Sequence, residues 1–132
     1  MASVVYFIRP VGQLGPIKIG YSDYPEARLL SLTTWSPVDL EIAATVPGDR
    51  DLEYRIQCVF ADLHWRREWF RPDARLIAAV EKLRAAVPVE QAIDFTDIRG
   101  DLRVEHYLNR SRAIAARRPG YKGRLAKQGA SS

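Results

Sequence analysis

The stretch from Val4 to Arg28, VVYFIRPVGQLGPIKIGYSDYPEAR, allows few backbone arrangements. Val4 to Ile8 and Ile17 to Tyr21 are both rich in β-branched and aromatic residues, the composition of strands. Between them Pro10, Gly12, Gly15 and Pro16 mark a hairpin connection longer than a two-residue turn. Ser22 and Asp23 are candidate helix caps, and Pro25 has the fixed φ that suits a first helical turn. A helix starting there carries Arg28. Local structure alone therefore brings Tyr6 on the first strand, Lys18 on the second and Arg28 on the helix towards one cleft.

Strand one is predicted over about Val4 to Arg9. Period-two alternation puts Val4, Tyr6 and Ile8 on one face and Val5 and Phe7 on the other. Both faces are apolar apart from the tyrosine hydroxyl, as in a central strand covered on both sides. Strand two runs over about Pro16 to Tyr21, with Lys18 and Gly20 sharing a face. From the pattern alone, Lys18 fits a solvent-facing edge position and a cleft position equally well.

Helix one is predicted over about Pro25 to Thr33, with Ala27, Leu29, Leu30 and Leu32 apolar and Arg28 at the edge of the buried stripe. Arg28 reads either as a surface arginine beside Glu26 or Asp23, worth little, or as a phosphate ligand whose planar fork of donors suits two oxygens. Thr33 to Pro37 reads as a loop and Leu40 to Val46 as a third strand. Leu52, Ile56, Val59, Phe60 and Leu63 then form the stripe of an amphipathic helix capped by Asp49 or Asp51. Glu53 flanks that stripe, where a glutamate stabilised by the helix dipole is the plain reading. A third helix spans Asp73 to Val87, with Trp65 and Trp69 expected to pack it on the sheet rather than to stack on bases. Val89 to Gly100 reads as a connector, and Asp101 to Arg118 as a fourth helix. Pro119 and Gly120 stop that helix, and a disordered end follows. The expected organisation is a domain over 1–88, a connector and basic helix over 89–118, and a basic tail over 119–132.

The fold class expected is α/β in the broad sense, more narrowly α+β, with a small three-stranded antiparallel sheet flanked by helices. No apolar run approaches the ~20 residues that cross a bilayer, and the N-terminus lacks the pattern of a signal peptide. Cys58 is the only cysteine, so neither an intrachain disulfide nor a cysteine-rich zinc site is available. His64 and His106 have no partner pattern for zinc and read as structural or surface residues. These features fit a cytoplasmic protein with no membrane partner.

Charge is unevenly distributed. Residues 1–100 carry 12 Lys and Arg against 14 Asp and Glu, whereas residues 101–132 carry 8 against 2. A nucleic-acid partner would draw much of its electrostatic affinity from the basic end, through Arg103, Arg110, Arg112, Arg117, Arg118, Lys122 and Arg124. A solubilising tail is the plainer alternative.

Taken in order, Val4-Val5-Tyr6, the Lys18-Ile19-Gly20 triplet twelve residues after the tyrosine, and Arg28 eight residues after Gly20 resemble the GIY-YIG nuclease superfamily. Glu53 in DLEYRIQCVF looks like that family's metal-binding glutamate. Glu68-Trp69-Phe70 looks like the ending of its short phage- and fungal-type branch, where KIG commonly stands in for YIG. The resemblance covers roughly residues 3 to 80. It implies a metal-dependent DNA endonuclease in which Glu53 holds Mg²⁺ (or Mn²⁺), Arg28 holds the phosphate, and Tyr6 orients or deprotonates the attacking water. Tyr21 competes for the hydroxyl role. The resemblance also favours the cleft position for Lys18. A free tyrosine titrates near ~10, and a neighbouring Lys18 ammonium would lower that value.

The chain departs from the family pattern at three points. Lys18 replaces a tyrosine, the loop after helix one has no histidine, and Gln57 stands where a histidine often follows the glutamate. Two other functions fit the sequence: a DNA-binding module of the same fold without cleavage, and a protein-interaction domain whose basic tail meets acidic partners. Tyr6, Arg28 and Glu53 together favour catalysis, because a pure binder needs no carboxylate beside phosphate.

Overall fold

The computed structural model describes residues 2–105. Strand β1 (Val4–Pro10) pairs antiparallel with β2 (Ile17–Ser22), in a register that sets Tyr6 opposite Gly20 and Ile8 opposite Lys18. Helix α1 (Pro25–Trp35) follows, then β3 (Leu40–Pro47), which pairs antiparallel with the other edge of β1. Helix α2 (Arg50–Val59) tightens into a 3₁₀ turn over Ala61–Leu63, leading into the short strands β4 (His64–Arg66) and β5 (Trp69–Phe70). Helix α3 (Ala74–Arg84) and a single turn, α4 (Val89–Ala92), follow, and residues 102–105 are helical.

The sheet has five strands in the order β3-β1-β2-β5-β4, not the three the sequence predicts. The two extra strands are three and two residues long, too short to show a period, and charged residues interrupt them. They hold because Phe70 and His64 turn inward and because β5 pairs with β2 through Ile17 and Lys18. Arg67, at the tip of their hairpin, has a φ of 51°, a left-handed conformation that usually takes glycine. The buried His64 imidazole lies 2.7 Å, through Nε2, from the Arg67 carbonyl oxygen, and meets Phe70 edge-on. Burial holds the His64 pKa below its ordinary value, so at pH 7 the neutral ring donates to that carbonyl.

β1 is interior to the sheet, and Val5, Tyr6, Phe7 and Ile8 are all buried, as the two apolar faces predict. The main core joins Val5, Phe7, Ile17 and Ile19 to Ile56, Val59 and Phe60 of α2, and to Leu76, Val80 and Leu83 of α3. Asp49 caps α2 by accepting from the Asp51 amide, and Asp73 caps α3 by accepting from the Arg75 amide. Arg9 ties the layers together, donating to Glu41 on β3 and Glu81 on α3.

Helix α1 differs from expectation. It runs two residues further than predicted, with the Thr33 and Thr34 hydroxyls donating to the Leu29 and Leu30 carbonyls. It has no buried residue, and Leu30 is exposed. The segment read as a connector also packs more than its sequence indicates. It contains α4, and Ala92, Ile93 and Leu102 join the core. The fourth helix predicted over 101–118 and the tail beyond it lie almost entirely outside the described residues. Among the described residues no helix is long and apolar enough to cross a membrane.

Candidate active site

The site begins with a missing side chain. A Cβ built on Gly20 would lie 2.5 Å from Cζ of Tyr6, far inside van der Waals contact. Glycine at the end of the Lys18-Ile19-Gly20 triplet therefore lets the Tyr6 ring lie across β2. The phenol is buried there, with Glu68, Arg28 and Glu53 near enough to act on its charge. Burial, followed by Glu68, pushes its pKa up to about 12, and the Arg28 guanidinium only partly opposes this.

This reverses the expectation for Lys18. Its side chain is in the cleft, only 13% exposed, but its ammonium is 3.4 Å from Glu68 Oε1 and does not depress the Tyr6 pKa. Tyr6 keeps its proton across the neutral range. The reason is the β2–β5 pairing, which brings a carboxylate to Lys18 that the sequence alone does not place there.

Glu53 and Glu68 form the site's most unusual feature. Glu53 projects from the first turn of α2, and Glu68 lies in the turn leading into β5. Their carboxyls hydrogen-bond to one another. Burial first, then that bond and the repulsion between the two groups, raise the Glu53 pKa from an ordinary 4.5 to about 7. The Lys18 and Arg50 charges pull it back only in part.

The backbone of Ile19 fixes both glutamates. Its amide donates to the Glu68 carbonyl over 3.0 Å, just past the last β2–β5 pair. Its carbonyl would be orphaned where β5 stops, and the buried Gln57 side chain reaches it over 2.9 Å. Gln57 follows Glu53 by four residues on α2, so the bond that anchors the helix also aims Glu53. A glutamine in this place is a structural donor to the sheet edge.

Arg28 is exposed on α1, and none of the ion pairs among the described residues involves it. Tyr21 points to the other side of β2 from Gly20 by alternation and packs on the core. Its hydroxyl accepts from Arg50 over 3.0 Å, with the guanidinium 5.5 Å from the ring centroid. The structure thus groups Tyr6, Lys18, Arg28 and Glu53, and leaves Tyr21 bound to Arg50. Sequence reasoning missed Arg50 and the weight of Glu68. The only signal for Glu68 was its place in Glu68-Trp69-Phe70. Among the proposed nucleic-acid contacts, Arg103 is exposed near Tyr54 and Asp101. Arg110, Arg112, Arg117, Arg118, Lys122 and Arg124 lie outside the described residues.

Two carboxyls that share a proton are a donor set that a hard divalent cation can enter in the proton's place. Among the described residues no group of three or more His, Cys, Asp or Glu could hold a metal ion. By its chemistry, an all-oxygen carboxyl pair would suit a hard cation such as Mg²⁺ or Mn²⁺, which retains water and phosphate oxygens, more than zinc, which takes nitrogen and sulfur ligands.

These features define a small α+β domain in which carboxyls, cations and a tyrosine meet over a β-hairpin. The chain belongs to the T5orf172 domain family, whose model matches residues 3–94. That family is phage-associated and of the GIY-YIG/HNH-like nuclease type. No curated protein and no solved structure gives a match.

Proposed function

We propose that the protein is a metal-dependent DNA endonuclease of the GIY-YIG type, hydrolysing phosphodiester bonds in the cleft between β1, β2, α1 and α2. The observation that carries this reading is the Glu53–Glu68 carboxyl pair set against Tyr6 and Arg28. A protein that only binds DNA gains nothing from two carboxyls beside phosphate, since they repel it.

Glu53 and Glu68 would hold the Mg²⁺ or Mn²⁺ ion, which when bound supplies positive charge to the phosphate and its leaving oxygen. Arg28 contributes a guanidinium for two phosphate oxygens, and its charge opposes the negative charge that grows on phosphorus-bound oxygen. Tyr6, protonated at neutral pH, orients the attacking water or donates to a phosphate oxygen. In the metal-free site burial and the Glu68 and Glu53 charges keep the phenol at about 12, well above the range of an efficient base at pH 7. Lys18 holds Glu68 in place beside Glu53.

The protonated Tyr6 and the engagement of Lys18 by Glu68 favour one second reading, a DNA-binding module of this fold without cleavage. Supercoiled plasmid incubated with the protein separates the two. Nicking with Mg²⁺ or Mn²⁺ that EDTA abolishes supports the nuclease. Retarded but intact plasmid under every metal supports the binding module.

A further inference from the structure

All three tryptophans of the chain line one groove of about 580 Å³ beside the cleft. Trp35, at the last position of α1, is 88% exposed, and Trp65 on β4 is 49% exposed. Trp69 on β5 forms the wall nearest the cleft, with the Lys18 ammonium 5.9 Å from its ring centroid. The expectation that Trp65 and Trp69 pack α3 on the sheet is therefore corrected for this side of the hairpin. Arg66 and Arg67 also line the groove, both exposed and in none of the ion pairs among the described residues. Arg67 holds its place in a left-handed conformation that glycine would adopt without strain.

We infer that this groove stacks unpaired bases of a DNA strand whose backbone continues into the cleft, so that the substrate carries a single-stranded segment next to the scissile phosphate. The inference rests on the nuclease reading for its substrate and on the groove alone for its binding.

The chemistry of the lining selects the occupant. Flat aromatic faces beside unpaired guanidiniums match bases attached to phosphates. Base-on-aromatic stacking is insensitive to base identity, because every base has a π-face. In a duplex those faces are already stacked on one another, so Trp35 and Trp65 would find them only in an unpaired stretch. An apolar protein segment would fill the groove too, but would leave Arg66 and Arg67 without anionic partners. Continuity favours DNA further. Glu68 and Trp69 are adjacent, so a strand leaving the tryptophans meets the carboxyl pair within one residue of β5.

Because every tryptophan faces the groove, the intrinsic fluorescence of the full chain reports its occupancy. Titration with oligothymidylate of about 12 nucleotides is expected to quench the emission in a saturable way, and a blunt duplex hairpin is not. Trp35→Ala is expected to weaken oligothymidylate binding about ten-fold, and Trp35→Phe to restore most of it. The high exposure of Trp35 means neither variant threatens the core. Arg67→Gly, which relaxes the backbone while removing the charge, should weaken binding and make it less steeply dependent on salt than in the wild type. Binding of oligothymidylate with unchanged emission, or at wild-type affinity in Trp35→Ala, overturns the inference. So does equal quenching by the duplex, or tighter quenching by oligouridylate. Plasmid cleavage without single-strand quenching defeats the groove and leaves the nuclease. Quenching without cleavage upholds the groove and defeats the nuclease.

Discussion

Gln57 on α2 donates from its buried side-chain amide to the carbonyl oxygen of Ile19 on β2, over 2.9 Å. The bond occurs where β5 runs out, so a side chain completes a ladder that a strand leaves unfinished. It also sets the distance between Glu53, one turn earlier on α2, and Lys18, one residue earlier on β2.

Gln57→Leu keeps the size of the side chain and leaves the Ile19 carbonyl buried and unpaired. The expected cost is about 1–3 kcal/mol of stability, measured by urea unfolding, with cleavage falling by more than the loss of folded protein explains. An unchanged unfolding midpoint would show that water replaces the amide and that α2 is held by its apolar stripe alone.

Much of this was legible in the sequence. The Val4 to Arg28 stretch shows the hairpin and α1, because β-branched runs, glycine and proline punctuation and a helix-start proline all agree. The α2 stripe was equally readable, and the sequence narrowed its cap to Asp49 or Asp51, of which Asp49 serves. The β4–β5 hairpin was not, since five residues of strand carry no period and their pairing depends on β2. The partner of Lys18 was hidden for the same reason. An ammonium flanked by isoleucines fits an edge position and a cleft position equally well, and only the strand pairing shows that Glu68 meets it before Tyr6 does.

Lys18 now bears on the acid side of the pH profile. Its charge lowers the Glu53 pKa and leaves that of Tyr6 untouched. Lys18→Met should raise the Glu53 pKa further above about 7, moving the acidic limb of the cleavage profile to higher pH. Lys18→Arg should leave the limb near its wild-type position. If the basic limb moves instead, Lys18 acts on the phenol.

The raised Glu53 pKa also predicts how stability varies with pH. The folded protein keeps this proton while the unfolded chain releases it, between an ordinary 4.5 and about 7. The stabilisation is complete below the lower value and is lost as pH rises through the upper one. The Tm of metal-free protein should therefore fall across that window, and Mg²⁺ should raise it more at about pH 8 than at about pH 5.5. Glu53→Gln should flatten both responses. A Tm response to Mg²⁺ that persists in this variant would place the ion elsewhere.

The basic end gives a separate test of DNA affinity. Residues 106–132 contain seven Lys and Arg and no acid. Removing them should weaken DNA binding and flatten the dependence of log Kd on log salt, by about 0.9 for each duplex phosphate the shortened chain leaves unneutralised. An unchanged slope would move the electrostatic footprint to the described residues.

The decisive comparison is cleavage and binding of one DNA substrate by wild type and Glu53→Gln, in Mn²⁺ or Mg²⁺ at saturating protein. The variant keeps the size of the side chain and its capacity to hydrogen-bond to Glu68, and loses only the charge a hard cation requires. The expected result is a fall in the cleavage rate by orders of magnitude, with DNA bound as tightly as by the wild type or more tightly. Cleavage by Glu53→Gln at the wild-type rate would contradict a nuclease site built on the Glu53–Glu68 pair.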